Sequence, residues 1–167
     1  MMIRVGQAAE LEDLQGLLRA CIDGMRQAGL DQWDEVYPTA QIIADDLRGG
    51  TLIVVERERQ LVGAVTLDQK QEPEYDSVTW TFSQGSHGVV HRLMIAPSLQ
   101  RQGFGRTLMA AAEDRARGAG WKALRLDAFS LNIPALRLYR ELGYAEVGSV
   151  HFRKGLFVCF EKSLVDR

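Results

Sequence analysis

A chain of 167 residues, 46% hydrophobic and 25% charged, is long enough to bury one core and too apolar for a disordered or fibrous class. Its formal net charge of −2 and its lack of a Lys/Arg run give no field that gathers polyanions, so no nucleic acid is expected as a partner. No apolar run is long enough to span a bilayer, so no membrane partner and a cytoplasmic location are expected.

Residues 3–5 read as a short first strand. Leu11, Leu14, Leu17, Leu18, Cys21, Ile22 and Met25 then recur at helical spacing, which predicts one amphipathic helix ending near Gly29. Residues 31–38 mix aromatics and acids ahead of a proline and read as a loop. Thr39 can cap a second helix through Ile42, Ile43 and Leu47, stopped by Gly49 and Gly50. The apolar runs 51–56 and 61–67 flank a polar turn and predict an antiparallel hairpin. Residues 68–88 have no clear period. Residues 89–96, 105–117 and 123–129 read as strand, helix and strand, a unit that requires parallel pairing with a right-handed crossover. A helix over 133–142 closed by Gly143, and a hairpin of 146–152 with 156–161, complete the pattern. Cys21 and Cys159 lie in apolar segments without metal-ligand spacing and read as reduced core thiols, so no metal is expected.

The segment Gln100-Arg101-Gln102-Gly103-Phe104-Gly105-Arg106 lies between a predicted strand and a predicted helix. A helix start carries free backbone N–H groups and a partial positive charge, so glycines there let a phosphate approach, and two arginines can add charged hydrogen bonds. The alternative is that Gly103 and Gly105 only permit a tight turn. The segment lacks the Gly-Lys-Ser/Thr ending of a Walker loop and the full Gly-x-Gly-x-x-Gly of a dinucleotide site, so a coenzyme pyrophosphate fits it better.

Gln100-x-x-Gly103-x-Gly105 after an apolar strand ending Ile95-Ala96-Pro97 resembles motif A of the GNAT (GCN5-related N-acetyltransferase) superfamily. Asn132-Ile-Pro-Ala135, Leu138-Tyr139 and Leu142-Gly143-Tyr144 resemble its motif B. The two motifs cover roughly the C-terminal half. The resemblance implies a mixed α/β fold: a single GNAT domain with a splayed sheet of about six to seven strands flanked by about four helices. It implies an acceptor-side half at about 1–88, an acetyl-CoA-binding core at about 89–145 and a C-terminal hairpin at about 146–162. Acetyl-CoA is the implied cosubstrate. Leu93, Met94 and Ile95 would offer backbone partners to its pantetheine, Gln100, Arg101, Gln102, Gly103, Phe104, Gly105 and Arg106 would hold the pyrophosphate, and Asn132, Ala135, Leu138 and Tyr139 would complete the coenzyme site. The resemblance also favours a homodimer.

Tyr139 matches the family tyrosine that protonates the leaving thiolate; a phenol with an ordinary pKa of about 10 can serve a thiol of about 8.5. Alternatively it packs with Leu136, Leu138 and Leu142. The acceptor amine must lose a proton, and His91, on the strand entering motif A, titrates in the useful range; it reads equally as a core histidine. Asp127 is the second candidate, because alternation in Arg125-Leu126-Asp127-Ala128 puts charge on one face of a central strand, where Arg92 could neutralise it. His87 reads as a solvated loop residue and His151 as solvent-facing. Some relatives carry a carboxylate base before motif A, where Val89 and Val90 stand here.

Trp33, Asp34 and Tyr37 form an aromatic and acidic loop suited to a cationic amine, and Trp80 can close the same pocket; with His91 and Asp127 these are the acceptor candidates. The alternative is that the aromatics anchor long loops in the core. Asp31-Gln32-Trp33 with Tyr37-Pro38 and Val90-His91-Arg92 resembles a group of small bacterial-type GNAT proteins of unassigned substrate. The expected reaction is acetyl transfer to a primary amine of a small molecule by direct attack in a ternary complex. The alternatives are a non-catalytic acyl-CoA-binding sensor and a protein or peptide N-acetyltransferase.

Overall fold

The computed structural model describes residues 1–83 and 85–165. Its elements are β1 (Met2–Val5), α1 (Leu11–Gln27), α2 (Ala40–Arg48), β2 (Leu52–Arg57), β3 (Gln60–Asp68), β4 (His87–Ile95), α3 (Phe104–Gly118), β5 (Ala123–Phe129), α4 (Ile133–Glu141), β6 (Ala145–Phe152) and β7 (Gly155–Ser163). The seven strands form one mixed sheet in the order β1-β2-β3-β4-β5-β7-β6. The mixed α/β class expected from the sequence is therefore the class observed.

Local chemistry accounts for the boundaries. Leu14, Leu17, Leu18 and Cys21 are the buried face of α1, at the spacing of successive helical turns. Thr39 caps α2, its side chain accepting from the Ile42 N–H at 3.3 Å. Between β2 and β3, Arg57 pairs with Gln60, and the intervening Glu58 and Arg59 both have positive φ, 53° and 65°, the backbone that a tight hairpin requires.

Strand β4 starts two residues earlier than the hydrophobic pattern suggests. It pairs with β5 in parallel through His87↔Ala123, Gly88↔Leu124 and Val89↔Arg125. Gly88 makes this approach feasible: a Cβ there would lie 2.5 Å from the Trp121 ring. His87 is consequently a strand residue, 3% exposed, with Nε2 3.1 Å from the Gln71 side-chain oxygen. The solvated-loop reading of His87 is thereby corrected, whereas His151 is exposed as expected.

Two compact units divide the chain, one of Met1–Leu67 with Arg92–Ala112 and one of Asp68–His91 with Glu113–Arg167. In the first, Leu14, Ile43, Leu52, Val54 and Met94 share a core with Trp33. At 7% exposure Trp33 is a core anchor, so the exposed aromatic set expected around it reduces to Tyr37. In the second, β7 lies antiparallel to both β5 and β6, and Tyr75, Val89, Val150 and Cys159 form a separate cluster. Burial pushes the Cys159 thiol up to about 12, and burial does the same for Cys21; neither is an activated thiolate.

Candidate active site

Arg125 and Asp127 project from the same face of β5, because side chains two residues apart in a strand share a side. Uncompensated charge on a buried strand is costly, and the aperiodic segment 68–83 supplies its partners. Arg125, 1% exposed, donates to the Phe82 carbonyl at 2.6 Å and to the Gln71 side-chain oxygen at 2.9 Å. Glu161 on β7 lies 3.8 Å from Arg125 Nε and accepts from the backbone N–H groups of Thr81 and Phe82 at 2.9 and 3.3 Å. Trp80 covers the guanidinium, 4.5 Å from ring centre to Cζ. Its indole donates to the Tyr75 carbonyl at 2.9 Å, and its ring packs against Tyr75 at 5.1 Å. Trp80 is thus spent on holding this segment.

Asp127 is served differently. Tyr75, 1% exposed, donates its hydroxyl to Asp127 Oδ2 at 2.5 Å. Burial raises the Asp127 pKa, while the Tyr75 hydrogen bond and the nearby His91 act to lower it. Arg92 does not neutralise Asp127 as the sequence suggested. Its guanidinium donates to Asp46 at 2.7 Å and to the Tyr37 hydroxyl at 3.0 Å, and Arg92 has a positive φ of 50° that departs from extended strand geometry.

His91 Nε2 lies 2.9 Å from Asp68 Oδ1, with both side chains mostly buried, 15% and 11% exposed. A carboxylate on one ring nitrogen fixes the orientation of the imidazole. Tyr139, 6% exposed, lies against Tyr144 and Phe160 at ring distances of 6.0 and 5.8 Å. Burial, with a smaller contribution from the Asp127 charge, pushes its phenol well above the ordinary tyrosine value. One unit thus carries a carboxylate-oriented histidine, a protonated phenol and a buried carboxyl group.

The other unit holds the glycine-rich segment. Gly103 has a φ of 90°, and nothing lies within 4 Å of the place its Cβ would occupy. A left-handed backbone with open space above it, at the start of α3, fits the approach of a phosphate. Phe104, 8% exposed, anchors that helix, and Thr107 returns both its N–H and its hydroxyl to the Gly103 carbonyl at 3.0 Å. Gln100 and Gln102 spend their side-chain amides on the turn, donating to the carbonyls of Ile95 at 3.2 Å and Ser98 at 3.4 Å. Arg101 and Arg106 are exposed, Met94 is buried, and Leu93 and Ile95 are half-buried. Asp34 caps its own loop, accepting from the N–H groups of Val36 and Tyr37 at 2.9 and 3.3 Å. Asn132 caps α4 by accepting from the Ala135 N–H at 3.2 Å, and Leu138 is half-buried.

The sequence profile of the Acetyltransferase (GNAT) family matches residues 16–144. The chain belongs to that family. A curated relative, the IAA acetyltransferase of Azospirillum brasilense, is 35% identical over 66 residues, a match covering 40% of this chain and 43% of that protein. The chain therefore spans less than half the length of that relative. An acetyltransferase of the GNAT family from Streptococcus agalactiae superposes with a TM-score of 0.86 at 21% identity, covering 99% of this chain and 96% of that one. A Salmonella typhimurium protein solved with its cofactor acetyl-CoA superposes with a TM-score of 0.75 at 16% identity, covering 100% and 95%. At such identities these structures establish a shared GNAT fold.

Asp46, Asp68, Gln71, Tyr75 and Glu161 are residues of these networks that the sequence pattern does not single out. Asp68 had the clearest signal, as a carboxylate closing a long apolar strand. Tyr75 had none, since it lies in a short 3-10 turn, Pro73–Ser77, within a segment that has no period.

Proposed function

We propose that this GNAT protein transfers the acetyl group of acetyl-CoA to a primary amine of a small molecule by direct attack in a ternary complex. The observation that carries the reading is the His91–Asp68 pair at 2.9 Å, in the same unit as Asp127 and a raised Tyr139 phenol. In this reading His91 takes a proton from the acceptor ammonium, the free amine attacks the thioester carbonyl, and the C–S bond breaks. Tyr139 donates its proton to the departing thiolate and regains one from the nitrogen, which sheds its second proton as the amide forms; burial keeps the phenol protonated at neutral pH, as a general acid must be. Family resemblance assigns the pantetheine to the backbone of Leu93, Met94 and Ile95 and the pyrophosphate to Gln100 to Arg106. The open, left-handed Gly103 supports the latter assignment. Orientation of the bound reactants supplies much of the rate. The covering of β5 by Tyr75, Trp80 and Phe82 favours a small acceptor over a polypeptide.

Thiol release from acetyl-CoA, followed over panels of small amines and peptides, tests the reading. Tyr139→Phe is expected to lower kcat about 100-fold with unchanged affinity for acetyl-CoA by calorimetry. Coenzyme binding without turnover would replace this reading with that of an acyl-CoA sensor, and turnover with peptides alone would make the acceptor a polypeptide.

A further inference from the structure

The carboxylate of half-buried Asp127 is unusual among the charges set into this protein's sheet and helices. Arg125 faces Glu161, Arg92 faces Asp46, and Glu113 accepts from Lys162 at 2.9 and 3.0 Å. Asp127 has no Lys or Arg in ion-pair contact among the described residues. Its hydrogen-bond partner is the neutral Tyr75 hydroxyl, which occupies Oδ2, and the structure gives Oδ1 no protein donor among the described residues. Tyr75 is fixed in turn by the Trp80 ring and by the Trp80 indole on its own carbonyl. This hydroxyl is therefore aimed rather than incidental. A half-buried carboxylate hydrogen-bonded on one oxygen, with no Lys or Arg paired to it among the described residues, attracts a cation that arrives from outside.

We propose that Asp127 is the anchor for the acceptor's ammonium group, received on Oδ1, and that Tyr75 is the positioning residue that holds the carboxylate for it. This rests on the amine-acetylation reading above. It gives Asp127 and His91 separate tasks: Asp127 binds the cation, and His91 removes the proton.

The titratable groups around Asp127 are Tyr75 and Glu72 from the segment 72–77, His91 from β4 with its partner Asp68, Tyr139 from α4 and Cys159 from β7. Burial raises the Asp127 pKa, and the Tyr75 hydrogen bond is the largest influence that opposes it. Removing the Tyr75 hydroxyl should therefore move the Asp127 titration to higher pH, so that binding of a cation fails earlier as the solution is acidified.

The experiment reads the Asp127 side-chain carboxyl resonance in protein labelled with 13C at aspartate, with methylammonium chloride as the probe and methanol as its neutral counterpart. Millimolar methylammonium is expected to shift that resonance saturably, to lose its effect as Asp127 becomes protonated, and methanol is expected to leave it unmoved. In Tyr75→Phe, which keeps the ring against Trp80, the Asp127 titration is expected to move up by about one pH unit, with about tenfold weaker methylammonium binding at mildly acidic pH. The acid limb of kcat/KM for the amine should move with it, while KM for acetyl-CoA stays constant. The wild-type arm needs no variant, so a folding failure of Tyr75→Phe leaves the test intact. A resonance indifferent to methylammonium, or a titration that moves while the acid limb stays, overturns the anchor. Turnover of amines with a silent Asp127 sinks the anchor alone, whereas a responsive Asp127 with no turnover of any amine sinks the proposed reaction instead.

Discussion

Two half-buried charges on sheet strands, Arg92 on β4 and Asp127 on β5, show how the same problem has been solved in two ways. Arg92 is met by an opposite charge: Asp46 gives it a carboxylate and Tyr37 an acceptor hydroxyl, its Nε–H has no partner among the described residues, and Thr66 adds a hydrogen bond to Asp46 at 2.9 Å. Burial opposes the charge, but Tyr37 and Asp46 outweigh it and the Arg92 pKa rises. Asp127 has a phenol as its hydrogen-bond partner and His91 nearby, and burial outweighs both, so its pKa shifts in the direction that disfavours its charge. Arg92 is paired with an opposite charge, whereas the hydrogen-bond partner of Asp127 is neutral. The lack of a Lys or Arg partner among the described residues is the ground on which Asp127 is proposed to receive a cationic ligand.

The largest effect is expected from breaking the Arg92–Asp46 pair. Asp46→Ala strands a buried guanidinium and removes the acceptor of the Thr66 hydroxyl, which should cost about 3–5 kcal/mol, read from chemical denaturation. Arg92, held at a φ of 50°, would then lose the contact that sustains an unfavourable backbone. A loss under ~1 kcal/mol would mean that the pair is solvent-screened and that the contrast with Asp127 is misplaced.

The polar cluster beside Asp127 makes a pH-dependent prediction of intermediate size. Burial, then the Arg125 charge, lowers the His87 pKa below its ordinary 6.5, so the fold favours the neutral imidazole. The unfolded chain binds the extra proton first. Stability from this site is fully present above pH 6.5 and is lost as pH falls from 6.5 through the folded value, at up to about 1.4 kcal/mol per pH unit. His87→Gln should flatten the slope of stability against pH between about 6.5 and 5. An unchanged slope would assign the acid sensitivity to other groups.

The contrast between the two charges also explains what the sequence could and could not reveal. Periodicity located every strand and long helix, because the buried faces of α1 and β2–β3 follow the helical and strand repeats directly. The strand–turn–helix at Gly103 was readable because φ of 90° demands glycine. The partners of charged residues were not readable. Asp127 with Tyr75 and Arg92 with Asp46 are separated by 52 and 46 residues, and nothing in local pattern distinguishes those partners from any other acid or tyrosine. Arg92 is offered to Asp127 as a candidate partner by strand adjacency. Its left-handed φ, which no periodicity encodes, accompanies its pairing with Asp46 instead. His87 was misread for a similar reason: the packing of Gly88 against Trp121, not the hydrophobic run, sets where β4 begins.

The smallest stability effect is the most discriminating. Asp127→Asn removes a charge whose burial is unfavourable and keeps a group that can still accept from Tyr75. The folded pKa of Asp127 is raised, so its contribution to stability is present at low pH and is lost as pH rises through the folded value. At neutral pH the substitution should therefore leave stability unchanged or raise it by up to about 1 kcal/mol, with the gain vanishing near the ordinary carboxylate pKa of about 4. A residue retained for structure alone would give the opposite sign. Loss of more than ~2 kcal/mol at neutral pH would show that Asp127 is part of the scaffold, and that a neutral phenol suffices as its partner.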